Sequence, residues 1–316
     1  MEKLTKAEVG AYLLCHDNYI ILTHRRPDGD TAGCAALLCR GLRAVGKQAA
    51  ILTNPQLTTR YQHLHEGLTT DCVSPNALIV SVDVAGREML PLNGKDLPVN
   101  LLIDHHGSNP GFAERGIVEP EAAACGETVY GILMTMGVAL DMAMAEALYV
   151  AVSTDTGCFR FSNTTANTLM VAAKCLEAGI DHYTLNKTLF ETVSLARLRL
   201  NAYMTDHLEL LEGGKIALCF IPGELEKELG ITEDDMEDVS NFARNVEGVE
   251  LAITFRTLSS GDTKLSVRSS PNYDAARLCM ALGGGGHKAA AGATVHGDQT
   301  IARQQVVEIL GEMGAL

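Results

Sequence analysis

Three short apolar runs in the first third of the chain end in groups that a protein does not bury without a partner. Tyr19-Ile20-Ile21-Leu22-Thr23 runs into His24-Arg25-Arg26-Pro27-Asp28-Gly29-Asp30. Ala77-Leu78-Ile79-Val80-Ser81-Val82 ends in Asp83, and Leu101-Leu102-Ile103 ends in Asp104-His105-His106. Runs of this length and composition read as buried strands. The Gly107-Ser108-Asn109-Pro110 that follows the last of them reads as a turn. Carboxylates and imidazoles at the ends of such strands must be desolvated, a cost normally offset by pairing or by a metal ion. In open α/β sheets those carboxyl ends are also where ligands bind.

The surrounding pattern supports such a sheet. Helical patterns over 31–44, 122–136, 142–154 and 165–178 alternate with strand-like runs, including 48–52. This alternation predicts an α/β fold: a doubly wound, mostly parallel N-terminal sheet with helices on both faces. Residues 181–211 read as one or two connecting helices. Strands are then expected over 215–221, 249–256, 264–268 and 292–295, with helices over 231–245 and 299–313, giving a smaller C-terminal α+β domain. The expected boundaries are 1–185, a helical linker 186–212, and 213–316, within what 316 residues allow for two domains.

Composition narrows the function. The formal net charge is −14 and no basic run occurs, so long nucleic acid is not an expected partner. The nine cysteines contain no CxxC pair, which argues against zinc knuckles and disulfides and for a reduced, cytoplasmic protein. No stretch has the length and apolarity of a membrane span, and the N-terminus does not read as a signal peptide. A homodimer is compatible with the chain.

Adding Asp155, in Ser153-Thr154-Asp155-Thr156-Gly157, completes an inventory of His24, Asp28, Asp30, Asp83, His105 and Asp155. One ion cannot comfortably use six such ligands; two ions sharing a carboxylate can. Oxygen-rich ligation with some imidazole and no Cys favours Mn²⁺, with Mg²⁺ or Fe²⁺ as alternatives, over structural Zn²⁺. Paired ions suit hydrolysis at phosphorus. Taken singly, Pro27-Asp28-Gly29-Asp30 is also a good turn, the His pair a good solvated strand end, and Asp83 or Asp155 a good helix cap.

The segments His24-Arg25-Arg26-Pro27-Asp28-Gly29-Asp30, Ser81-Val82-Asp83, Asp104-His105-His106-Gly107-Ser108-Asn109 and Ser153-Thr154-Asp155-Thr156-Gly157-Cys158-Phe159 resemble the four motifs of the DHH phosphoesterase superfamily. Gly283-Gly284-Gly285-Gly286-His287 resembles the glycine-rich signature of its DHHA1 subfamily, and the layout resembles the nanoRNase and pAp phosphatase branch. Thr31-Ala32 and Cys34 depart from the usual pattern, Cys34 standing where a small hydroxyl residue is common. The resemblance implies that His24, Asp28 and Asp83 hold one ion and that Asp30, Asp83, His105 and Asp155 hold the other. It implies a catalytic His106 facing the scissile phosphate, and an Asp104 that orients a histidine ring.

Glycine runs let backbone N–H groups approach an anion, although a flexible loop or a helix cap reads equally well. By family position, Arg268, Gly284, Gly285, Gly286, His287 and Lys288 would contact substrate phosphate. The implied activity is Mn²⁺-dependent hydrolysis of very short oligonucleotides and of 3′-phosphoadenosine 5′-phosphate (pAp), in a cleft between the domains. Alternatives are a phosphodiesterase for cyclic di-AMP or pApA, and a catalytically silent nucleotide-binding regulator.

Overall fold

A computed structural model describes residues 1–236 and 239–315, which divide into two compact units, residues 1–192 and 193–316. The first unit contains strands β1 (Glu2–Lys3), β2 (Tyr19–Leu22), β3 (Ala49–Leu52), β4 (Thr69–Thr70), β5 (Leu78–Val82), β6 (Leu101–Asp104) and β7 (Arg115–Val118). Its helices are α1 (Lys6–Cys15), α2 (Gly29–Ala44), α3 (Thr59–Gln62), α4 (Cys125–Thr135), α5 (Met142–Asp155), α6 (Ala166–Glu177) and α7 (His182–Asn186). All strand pairs are parallel, in the order β1-β7-β6-β5-β2-β3-β4. Counted outward from the middle, the strands run 5, 6, 7 and then 1 at the edge on one side, and 2, 3, 4 on the other. The reversal between β5 and β2 is therefore the switch point of the sheet, where an open α/β sheet binds its ligand.

Strand alternation divides the apolar residues between two faces. Tyr19, Ile21, Ile51, Val80, Val82, Leu101 and Ile103 join the helices in one core, and α2, buried along most of its length, runs through it. Ile20, Leu22, Leu52, Ile79 and Leu102 face the other way and meet Val84, Leu90, Val99 and Ala113. The expected mostly parallel α/β sheet is thus present, and crossovers run over both faces. The helices gather on one face, however. The crossover from β5 to β6 carries only a 3₁₀ turn at Arg87–Met89, and proline and glycine at Pro91, Gly94 and Pro98 interrupt any longer helix.

The second unit holds α8 (Leu195–Asp206), β8 (Glu209–Leu211), β9 (Ile216–Ile221), α9 (Gly223–Leu229), β10 (Leu251–Thr257), β11 (Thr263–Ser269), α10 (Ala275–Ala281), β12 (Gly285–His287), β13 (Ala290–Val295) and α11 (Gln299–Glu312). Its sheet order is β12-β13-β11-β10-β9-β8, with β9 and β10 parallel and the other pairs antiparallel. One face packs on α10 and α11 through Leu278, Val306 and Leu310, and the other on Leu200 and Met204 of α8.

One sequence expectation fails here. The helix expected over 231–245 includes residues 237 and 238, which lie outside the described residues. The described parts form short 3₁₀ turns at Asp234–Met236, Val239–Asn241 and Ala243–Asn245. Asp235 accepts hydrogen bonds from the Thr232 backbone and hydroxyl and from Ser194, and such local side-chain bonds compete with helix propagation.

Candidate metal centre

The site lies at the carboxyl ends of β2, β5 and β6, the three neighbouring strands at the switch point. His24 follows β2, Asp83 follows β5, and Asp104, His105 and His106 close β6. Helix α2 begins earlier than expected: Asp28 is its N-cap, accepting from the Thr31 backbone at 3.1 Å, so Asp30 sits in the first turn and not on a loop. Capping and ligation are compatible for Asp28, since a carboxylate has about four lone-pair positions. Asp155 closes α5, which packs along α2.

Ligand atoms of His24, Asp28 and Asp83 lie within 4.8 Å of one another, and the same holds for Asp30, His105 and Asp155 and for Asp83, His105 and His106. All six expected ligands are therefore brought together, with Asp83 common to two of the groups. Asp83 is 2% exposed and adopts a left-handed backbone, φ 53°. Asp tolerates that conformation better than most residues, but it is a constrained one. Its Oδ1 is buried and has no hydrogen-bond partner. The nearest imidazole nitrogens, His105 Nε2 and His106 Nδ1, are each 3.6 Å away, too far for a hydrogen bond.

His105 explains what such an atom needs. Its Nδ1 lies 3.1 Å from the Ala122 carbonyl, which can only accept, so Nδ1 donates there and Nε2 is the nitrogen turned to the cluster. His105 Nε2 faces Asp83 Oδ1 at 3.6 Å, Asp155 Oδ2 at 3.6 Å and Asp30 Oδ2 at 3.8 Å. Three carboxylate oxygens and one imidazole nitrogen converge there. A divalent cation satisfies this donor set, mostly oxygen with imidazole in the minority, and the orphaned Asp83 Oδ1 is the observation that fits it.

Charge follows the same logic. Burial, followed by the carboxylates of Asp30 and Asp28, pushes the Asp83 carboxyl well above its ordinary range. Burial and the same two carboxylates push Asp155 up to about 8. Burial also raises Asp30, although His105 opposes it. Without a cation, the cluster resists full ionisation.

His106 is held differently. Its Nδ1 is 2.8 Å from Asp104 Oδ1, and Asn109 donates to Asp104 Oδ2 at 2.6 Å and to the Val84 carbonyl at 2.8 Å. The nitrogen of His106 nearest Asp83 is thus already engaged by Asp104. The Asp104 hydrogen bond raises the His106 pKa despite burial. Burial would raise Asp104, but the hydrogen bonds from His106 and Asn109 outweigh it and lower its pKa.

Other positioning groups were not singled out from the sequence. Asn54 donates to the His24 carbonyl at 2.8 Å and to the Thr23 hydroxyl at 3.0 Å. Thr31 donates to the Val82 carbonyl at 3.1 Å, tying the first turn of α2 to the strand before Asp83. A polar residue at the end of an apolar strand, as Asn54 is, was the available hint.

In the second unit, Arg268 lies on β11 and pairs in register with Ala290. Gly283 follows α10 with φ 75°, and the Gly283 and Gly284 N–H groups bond to Met280 and Cys279 carbonyls, so the start of the glycine run closes a helix. Gly285, Gly286 and His287 then form edge strand β12 against β13. A Cβ on Gly286 would meet the Ala291 Cα at 2.5 Å, and its φ of 143° adds to the requirement for glycine. His287 and Lys288 are exposed.

Known proteins resemble this chain over most of its length. The pattern of the DHH family, N-terminal domain, matches residues 18–172, and that of the DHHA1 domain matches residues 213–312. The chain is 33% identical over 299 residues to the bifunctional oligoribonuclease and PAP phosphatase NrnA of Thermus thermophilus, covering 92% of this chain and 89% of that protein. Against the Bacillus subtilis protein of the same name it is 25% identical over 298 residues, 92% and 93% of the two chains. Among solved structures, an exopolyphosphatase-related protein from Bacteroides fragilis superposes with a TM-score of 0.84 at 22% identity, covering 97% of this chain and 96% of that one. Exonuclease RecJ bound to manganese superposes at 0.52 with 14% identity, covering 100% and 96%. Among the described residues, no helix is long and apolar enough to cross a membrane.

Proposed function

The chain belongs to the DHH family, with an appended DHHA1 domain, and on that premise we propose that it is a two-metal, Mn²⁺-dependent phosphoesterase acting on very short oligonucleotides and on pAp. The observation that carries the reading is the buried Asp83 Oδ1, which has no hydrogen-bond partner and lies 3.6 Å from His105 Nε2. Its relatives of nearly equal length named as oligoribonuclease and PAP phosphatase supply the substrate class.

In this reading His24, Asp28 and Asp83 hold one ion, and Asp30, Asp83, His105 and Asp155 hold the other. Bound there, two divalent ions supply the charge that activates an attacking water and offsets charge building on the phosphoryl oxygens. The remaining work belongs to the chain. Asp104 fixes the His106 ring and stabilises its protonated form, so that Nε2–H can donate to a phosphoryl or leaving-group oxygen as negative charge grows there. Ala122 keeps the His105 proton on Nδ1, which leaves Nε2 free to ligate. Arg268 and the Gly284–Lys288 segment would grip a further substrate phosphate, Arg268 by charge-assisted hydrogen bonds and the glycines by close backbone approach. A single grip of this kind suits short substrates, and the acidic balance of the chain disfavours long ones.

The test is a panel of pAp, pApA, cyclic di-AMP and pyrophosphate with Mn²⁺. Preferential turnover of pAp and pApA supports the proposal. Turnover confined to cyclic di-AMP or to pyrophosphate would overturn it.

A further inference from the structure

Segment 122–126 (Ala-Ala-Ala-Cys-Gly) has no side chain in the cluster of ligand atoms, yet it bonds to two of the residues that supply them and is linked to a third. The Ala122 carbonyl accepts from His105 Nδ1. The Cys125 and Gly126 N–H groups donate to the Asp30 carboxylate, at 2.6 Å to Oδ2 and 3.0 Å to Oδ1. These are the opening N–H groups of α4, whose own N-cap, Ala124, provides no side-chain acceptor. Asp30 therefore caps a helix 95 residues further along the chain, and α4 in turn fixes the Asp30 carboxylate. Gly126 permits the approach: a Cβ there would meet the Ala151 Cβ at 2.7 Å.

The third link is Asn163. Its Nδ2 donates to the Ala123 carbonyl at 2.9 Å and to the Asp155 backbone carbonyl at 3.1 Å, so one amide couples the segment to Asp155. Glu127, buried in the next turn, accepts from Asn167 at 2.6 Å and Thr168 at 2.5 Å and anchors α4 to the start of α6. His105, Asp30 and Asp155 form one of the three convergent groups. The group containing His24 and Asp28 is held instead by Asn54 and by the α2 cap.

We propose that segment 122–126, locked by Asn163, is a dedicated positioning element for the Asp30–His105–Asp155 half of the metal centre, and that Asn163 is a positioning residue selective for that half. The inference rests on the metal-centre reading. The Asn163 side chain touches no ligand atom, and the residue is exposed, so its removal leaves the core in place. Its loss frees Asp155 and the segment to shift, and groups that orient ligands in this way typically contribute about ten- to a hundredfold in metal affinity.

The experiment is calorimetric titration of the metal-free full chain with Mn²⁺ in two ligand-deletion backgrounds, each retaining one half of the centre. In His24→Ala, which keeps the Asp30–His105–Asp155 half, adding Asn163→Ala is expected to weaken the remaining ion about ten- to a hundredfold. In Asp155→Ala, which keeps the other half, the same change is expected to leave the remaining ion within about twofold, near the usual additivity of unconnected sites. Asn163→Asp, similar in shape but lacking the donor, is carried in parallel and has to give the same pattern, and circular dichroism confirms folding. Equal weakening in both backgrounds, or none in either, overturns the proposal while leaving a two-ion wild type intact. A wild type that binds fewer than two ions overturns the metal-centre reading and this inference with it.

Discussion

His106 donates its Nδ1 hydrogen to the buried Asp104 carboxylate across 2.8 Å, whereas the adjacent His105 gives its Nδ1 hydrogen to a backbone carbonyl. Neighbours in sequence, the two rings are thereby prepared for different tasks. In the proposed site, the ring anchored through Nδ1 to a carbonyl turns Nε2 toward a cation, and the ring paired to a carboxylate is the one favoured for protonation.

His105→Ala is accordingly expected to lose Mn²⁺ from the protein, while His106→Ala keeps its metal and loses rate. Removing a positioned acid typically costs about 10²- to 10⁴-fold in kcat. Because the contribution is made mainly in the transition state, KM for pAp should change little. Metal content by elemental analysis together with steady-state kinetics checks both; equal metal loss from the two variants would show the assignment to be reversed or absent.

Asp83→Ala removes the carboxylate shared by two of the groups. The expected result is loss of both ions and of activity with the fold preserved, because the residue serves the site and not the apolar core. Retention of two tightly bound ions would sink the bridging role.

The metal-free protein should lose stability as pH rises from about 5.5 to 8. Asp155 keeps its proton up to about 8 in the fold, and Asp83 and Asp30 are also raised, whereas an unfolded aspartate releases its proton near about 3.9. Through that interval the folded state binds more protons, so stability falls as pH rises. His106 acts in the same sense: its raised pKa contributes most below about 6.5, and the contribution fades as pH passes the folded value. Melting curves in chelator should therefore shift downward between pH 5.5 and 8, with the largest Mn²⁺-induced gain at pH 8. A chelated protein that becomes more stable with pH would contradict the charge account.

Arg268→Ala and His287→Ala address recognition. Charge-assisted bonds to phosphate contribute about 1.5–3 kcal/mol each, or about ten- to a hundredfold. Turnover of pAp and dinucleotides at limiting concentration should fall by that factor, while bis(p-nitrophenyl) phosphate, which carries no second phosphate, should be hydrolysed nearly as before. Parallel losses on both substrates would remove the second unit from substrate binding.

Much of this was legible because the strands speak for themselves. Apolar runs ending at Leu22, Val82 and Ile103 give the sheet, and the charged residues just beyond them give the site. The illegible parts depend on partners distant in sequence. The start of α4 cannot be read from Ala122-Ala123-Ala124, since its cap is Asp30, and the helix begins at Cys125 and not at 122. Asn54, Asn109 and Asn163 look like turn residues until the carbonyls and carboxylate they bond are in place. The region around Asp235 has a helical pattern of apolar residues, but local side-chain bonds to Thr232 and Ser194 prevail.

The central claim is that the Asp83 cluster holds the divalent ions on which hydrolysis of pAp depends. Its most direct test is a titration of chelator-treated protein with Mn²⁺ while phosphate release from pAp is measured. The account predicts negligible turnover without metal and a rise that saturates at about two ions per chain, the pairing expected of such sites. Full turnover in excess chelator, or two bound ions with no hydrolysis of pAp, would contradict it.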